Sequence, residues 1–205
     1  MIRRFIDGVA AGVLIAIGGC VYLACDSKYV GAALFSVALL SICFKGYSLF
    51  TGKVGYLVND HSRDAWSVLL LGLLGNAAAT CGIGLLIHAA MPHLGQAALA
   101  ICTSKLEQAL LGTAVRSVLC GALMYLAVSI YKEKNTIAGI LFCVPVFILS
   151  GFEHSIANMF YFGASGMVSF RAFRYICVVI AGNALGGMLF PLLDNLGKQK
   201  EAPHV

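Results

Sequence analysis

Ser150-Gly151-Phe152-Glu153-His154 interrupts an apolar run that begins near Ile137 and resumes through Asn158 to Phe162. Two adjacent ionisable side chains sit inside a segment otherwise suited to hydrocarbon. Such residues are costly there and usually mark function. A second interruption lies earlier in the chain. The apolar run from Tyr29 to Lys45 meets Gly46, Ser48, Thr51, Gly52, Lys53 and Gly55, and Leu57 and Val58 then continue it briefly. Irregular backbone at membrane depth survives only inside protein or beside a water-filled cavity.

The surrounding sequence supplies the membrane. The chain has 205 residues, of which 60% are hydrophobic and 11% charged, and its mean hydropathy is +0.90. Soluble domains carry roughly 25% charged residues. A chain this poor in charge cannot coat a globule with polar surface. About 20 apolar residues cross a bilayer core as a helix. Six segments of that kind are expected: 5–24, the broken 29–58, 66–90, 106–131, the broken 137–162 and 173–196. Residues 91–104, with Pro92 and Gly95, read as a connection, and Lys105 opens the fourth segment. Arg3-Arg4 before the first run resembles the start of a signal peptide. That run exceeds the usual apolar core of about 7–15 residues, so a retained first helix is expected.

The broken segments are the second and the fifth, equivalent members of two three-span halves, about 5–90 and 105–196. An odd number of spans per half inverts the second relative to the first. Interrupted helices at matching places in inverted halves point to a midplane site. The expected fold is therefore an all-α polytopic membrane protein, one channel domain over 1–205, with both breaks facing a common pore. Gly75-Asn76 and Gly182-Asn183 recur in the third and sixth segments, a further sign of internal repetition. Small residues at such sites let backbones approach.

Lys/Arg excess in short loops faces the cytoplasm. Arg3, Arg4, Arg63, Lys132, Lys134, Lys198 and Lys200 share one side, against three or four on the other: Lys28, Arg171, Arg174 and, if counted, Lys105. Both termini are thus expected to be cytoplasmic. The net charge of +5 is spread thinly beside apolar runs, so no nucleic-acid partner is implied. No CxxC occurs, and most of the eight cysteines lie in apolar stretches. That pattern reads as small buried hydrophobes rather than a metal, redox or cofactor site.

His154 is the leading functional candidate, because imidazole titrates near neutrality and can donate to an anion or pass it a proton, which would aid protonation of a permeant. Its alternative role is to tie down carbonyls freed by the break. Asn158, one helical turn on, either orients the imidazole, binds a solute or caps the restarted helix. Glu153 is read as structural, satisfying backbone donors or a neighbouring subunit, with tuning of His154 as the alternative. Thr51 is the natural partner of His154 if the breaks meet. Phe35, Leu39, Phe50 and Phe147 either form apolar constrictions or are core and lipid-facing side chains. Lys105, with Lys45 and Lys53 flanking the first break, either makes an anion-attracting vestibule or snorkels to headgroups, snorkelling being the favoured reading for Lys53. Arg116 is expected to pack between helices. A membrane-embedded enzyme would need more than the single Glu153–His154 pair, so no catalysis is expected.

These residues also resemble a family. Ser150-Gly-Phe-Glu-His-Ser-Ile-Ala-Asn-Met159 is similar to the fifth-span signature of formate/nitrite transporters. Leu49-Phe50-Thr51-Gly52 is similar to the loop breaking their second span, and Gly31-Ala-Ala-Leu-Phe35 to that span's start. Tyr125-Leu-Ala-Val128 and Gly182-Asn183 resemble their fourth and sixth spans. The resemblance implies a homopentamer with one aquaporin-like pore per subunit. It assigns His154, Asn158 and Thr51 to the pore centre, Lys105 to the vestibule, and Phe35, Leu39, Leu49, Phe50 and Phe147 to constrictions. It implies permeation of a small monovalent anion or its acid, formate first, then hydrosulfide or nitrite. A pore for water, ammonia or urea is the alternative of another class. The chain departs from the family pattern at Gly121, which replaces an asparagine, and at Ser48, which stands where an acid is usual. Lys53 replaces a neutral residue, and Lys45 is an added cation.

Overall fold

The computed structural model describes residues 1–201, and the last four positions of the polar tail lie outside the described residues. Within the described residues nine α-helices follow one another: α1 Ile2–Ala24, α2 Lys28–Lys45, α3 Phe50–Lys53, α4 Arg63–Ala90, α5 Pro92–Glu107, α6 Leu110–Lys134, α7 Ala138–Leu149, α8 Ser155–Ser165 and α9 Phe170–Glu201. A 3-10 helix, Val54–Val58, continues α3. By length and composition α1, α2, α4, α6 and α9 can each cross a membrane, whereas α7 is apolar but has only 12 residues. Large apolar side chains such as Leu74, Leu86, Leu111, Phe142 and Leu185 point outward, where hydrocarbon or another subunit would cover them.

Both interruptions are built by the same turn. Gly46 ends α2 in the left-handed region at φ 70°, and Gly151 follows α7 at φ 65°. In the first, Tyr47 N–H donates to Ile42 O at 3.0 Å and Gly46 N–H to Cys43 O at 3.2 Å. In the second, Phe152 N–H donates to Phe147 O at 2.9 Å and Gly151 N–H to Ile148 O at 3.1 Å. This is a glycine C-cap with paired bonds back to the last turn. An L side chain at either glycine would strain the turn.

Two helix pairs, α1 with α4 and α6 with α9, cross in close contact. Where α1 crosses α4, a methyl on Gly8 would stand 2.5 Å from Gly72 O, and one on Gly75 2.4 Å from Phe5 O. Where α6 crosses α9, a methyl on Gly121 would stand 2.2 Å from Asn183 O, and one on Gly186 1.8 Å from Val118 O. Gly121 therefore lies at the α6–α9 crossing, where no larger residue fits.

One expectation is corrected. Residues 92–107 form a helix rather than an irregular connection, and Lys105 lies in its last turn instead of opening the next span. Pro92 reads as a break in a long helix, yet at the first helical position its fixed φ and missing N–H favour initiation. The following span begins at Leu110, after the bend at Gln108-Ala109.

Candidate functional site

A buried asparagine clamps each interruption. Asn76 in α4 accepts from Phe50 N at 3.0 Å and donates to Gly8 O at 2.8 Å and Ser48 O at 2.9 Å. Asn183 in α9 accepts from Ser155 N at 2.8 Å and donates to Ser117 O at 2.8 Å and Glu153 O at 2.7 Å. Each carboxamide thus holds the carbonyl before the restart and the amide after it, and anchors both to the first helix of its half. Asn76 and Asn183 were legible as repeated Gly-Asn pairs, but their partners were not. The matching contacts make Ser48 the counterpart of Glu153, Leu49 of His154 and Phe50 of Ser155.

The two breaks meet at a side-chain contact. Thr51 Oγ1 and His154 Nε2 are 3.0 Å apart, and both residues are buried. His154 is the N-cap of α8, and its Nδ1 accepts from Ala157 N at 3.1 Å. An Nδ1 that accepts leaves the imidazole proton on Nε2, so Nε2–H donates to Thr51 Oγ1. The Thr51 hydroxyl proton is free to donate in turn. Phe147 stacks on the imidazole at 5.5 Å between centroids, and Phe35 meets Phe147 edge-on at 6.3 Å.

Glu153 turns away from His154 into a polar cluster. Its Oε2 accepts from Lys105 Nζ at 2.5 Å and Asn158 Nδ2 at 2.8 Å, and its Oε1 from Gln108 Nε2 at 3.0 Å. The carboxylate is almost fully enclosed and Lys105 is partly so. The structure therefore joins Asn158 to Glu153 rather than to His154. Helical spacing alone suggested the other pairing. His154 escapes it because its ring folds back onto Ala157 N. Lys105 is an ion-pair partner of Glu153 and also lines a cavity. Gln108, unmarked in the sequence, completes the cluster from the bend after α5.

Two cavities flank the centre. One, of about 600 Å³, is lined by Lys28, Lys105, Arg116 and Glu153 at its polar end and by Phe35, Phe147, His154 and Asn158 toward the middle. Three cations face one carboxylate there. Arg116 lies exposed at this mouth rather than packed between helices, and its side chain has no hydrogen-bond partner among the described residues. The second cavity, of about 240 Å³, is lined by Leu39, Leu49, Val128, Lys53 and Lys132 among others. Phe35 and Phe147 thus border one cavity, and Leu39 and Leu49 the other. Phe50 is buried but lines neither.

With this geometry in hand, comparison with known proteins is direct. The chain matches the family described as "Formate/nitrite transporter" over residues 1–195. It belongs to the formate/nitrite transporter family. A "Probable formate transporter" of Methanothermobacter thermautotrophicus is 30% identical over 80% of this chain and 72% of its own length. "Formate channel FocA" of Haemophilus influenzae is 25% identical over 76% of this chain and 64% of its own. Among solved structures, a "Pentameric formate channel with formate bound" superposes at a TM-score of 0.77 with 24% identity, covering 97% of each chain. At that identity the likeness shows the fold. Members of the formate/nitrite transporter family are membrane transporters and channels rather than enzymes, and the present chain is a multi-pass member.

Proposed function

We propose that this protein is a channel or transporter for a small monovalent anion or its neutral acid, with formate first and hydrosulfide or nitrite as alternatives. The observation that carries the reading is the Thr51–His154 contact, where two helix interruptions meet between two cation-bearing cavities. The relatives named for formate support the ranking.

The proposed path starts at the larger cavity, where Lys28, Lys105 and Arg116 outnumber Glu153 and raise the local anion concentration. Passage then narrows at Phe35 and Phe147. A bare anion stripped of water is costly there. His154 Nε2–H and the Thr51 hydroxyl are donors positioned to replace part of the lost hydration. A permeant that takes the Nε2–H bond displaces Thr51 Oγ1 as its acceptor. The geometry favours donation by neutral imidazole: a second proton on Nδ1 would face the Ala157 N–H that Nδ1 now accepts. Crossing as the neutral acid lowers the remaining cost, so anion uptake rises as external pH falls. Leu39 and Leu49 form the opposing constriction. Asn158 serves by holding Glu153 in place.

In this reading the chain is one domain of two inverted repeats, assembled as a homopentamer in the cell (inner) membrane with both termini cytoplasmic. The pentameric neighbour supports the assembly. The test is parallel uptake of formate, nitrite, hydrosulfide and urea into proteoliposomes at two pH values. Saturable uptake of one anion, faster at the lower pH, is expected. Uptake of urea alone, indifferent to pH, overturns the anion reading in favour of a neutral-solute pore.

A further inference from the structure

The two cavities differ in how their cations are neutralised. On the α7–α8 side, Glu153 holds Lys105 in an ion pair. On the α2–α3 side, the position matching Glu153 through the asparagine clamps is Ser48. Lys53 Nζ donates to its hydroxyl at 2.9 Å, a single neutral partner for an ammonium with three N–H donors. Lys132 shares this cavity, and its ammonium sits 4.1 Å above the Tyr56 ring. Among the described residues, no carboxylate lines the cavity itself.

The nearby acids do not close the gap. Among the described residues, the ion pairs are Arg4–Asp64 and Lys105–Glu153, so neither Lys53 nor Lys132 has an acidic partner in contact. Asp60 and Asp64 line the adjoining outer space. Asp60 is turned onto Ser62 N at 2.9 Å, and Asp64 is taken by Arg4. Asp7, on α1, lies close enough to Lys53 to act on it electrostatically without touching it. Two ammonium groups therefore border a cavity of about 240 Å³ whose inner wall is Leu39, Leu49 and Val128.

We propose that Lys53 and Lys132 form an anion-binding subsite on the α2–α3 side of the constriction. Its ligand is one small monovalent oxyanion or carboxylate, charge toward the two ammoniums and apolar side toward Leu39 and Val128. This rests on the anion-channel reading and adds to it a holding point on the second side, peculiar to the Ser48-for-acid and Lys53 pairing. An anionic lipid phosphate has the same charge chemistry, but the wall of Leu39 and Leu49 lies inside the subunit, which favours a freely diffusing ion.

The experiment has two arms, each using the full chain. In phosphatidylcholine proteoliposomes, formate uptake is measured against concentration for wild type, K53Q, K132Q, the double variant and S48E. A hydrogen bond to a charged group contributes about 1.5–3 kcal/mol, so each lost ammonium raises the half-saturating concentration roughly tenfold or more, with maximal flux little changed. S48E reproduces the K53Q effect, because the new carboxylate pairs with Lys53 as Glu153 pairs with Lys105. Equal half-saturation in the double variant and wild type overturns the subsite. A difference that appears only when phosphatidylglycerol is added overturns the small-anion assignment in favour of lipid. In detergent, the thermal midpoint is followed on adding sodium formate against sodium gluconate at equal ionic strength. A formate-specific rise in wild type that is lost in the double variant supports the subsite even if no anion is conducted. The same rise in both, or none in wild type, overturns it. Absence of anion flux in wild type overturns the channel reading alone.

Discussion

Asn183→Ala removes three hydrogen bonds at the second break, and the structure sets the size of the loss. Ser117 O lies within α6, where the helix's own ladder also reaches it, so its loss is one interhelical bond of about 0.6 kcal/mol. Ser155 N and Glu153 O are different. The first opens α8 and the second belongs to the irregular link, and among the described residues Asn183 is the only side chain that meets either. Each becomes a buried group without a partner, at about 1–3 kcal/mol. The sum is about 3–7 kcal/mol. At about 2–4 °C per kcal/mol for a chain of this size, the thermal midpoint falls by roughly 6–28 °C. The assay is thermal unfolding of purified protein, with formate uptake below the midpoint as a second readout. Uptake falls as well, because the released link carries His154. Asn195→Ala is the control. Asn195 donates to Asn59 Oδ1 at 2.7 Å on the exposed surface, and surface changes of that kind stay within about 0.5 kcal/mol. A midpoint for Asn183→Ala indistinguishable from that of Asn195→Ala would refute the claim that the clamp holds the break.

Three further outcomes follow from other contacts. Glu153→Gln leaves Lys105 without its partner, and breaking a buried pair costs about 3–5 kcal/mol; a double K105Q/E153Q variant recovers part of that loss, read as thermal midpoints in a double-mutant cycle. Gly186→Ala puts a methyl 1.8 Å from Val118 O, with no side chain to yield, so α6 and α9 separate and the folded yield collapses. Gly112→Ala meets nothing within 4 Å and removes chain entropy from the unfolded state, stabilising by about 0.4–1 kcal/mol. The same melting series checks both.

Much of the architecture was legible because bilayers impose long apolar runs and punish their interruption. The glycines and polar residues at 46–55 and 150–154 stood out against that background, and both sites form the same left-handed turn. What lies between distant segments was not legible. Nothing local marks Asn76 as the holder of Ser48 and Phe50, or Gln108 as a partner of Glu153. The α5 helix was missed because Pro92 punctuates as strongly when it starts a helix as when it ends one. Asn158 stood open between orienting the imidazole, binding a solute and capping, because spacing gives a shared helix face but not the rotamer of an N-cap. His154 bends back to cap its own helix, which frees Asn158 for Glu153. Lys53 read as a snorkelling cation, since only the folded chain brings it to Ser48.

The most direct test is formate uptake by His154→Ala proteoliposomes at two pH values, with protein folding verified by melting. The account predicts a loss of about tenfold or more at both pH values, the factor that about 1.5–3 kcal/mol for a hydrogen bond to a charged group sets, with the rise at low pH retained because it belongs to the permeant's own protonation. Uptake equal to wild type at both pH values would contradict it, because the meeting of the two breaks at His154 and Thr51 would then not be the conducting centre.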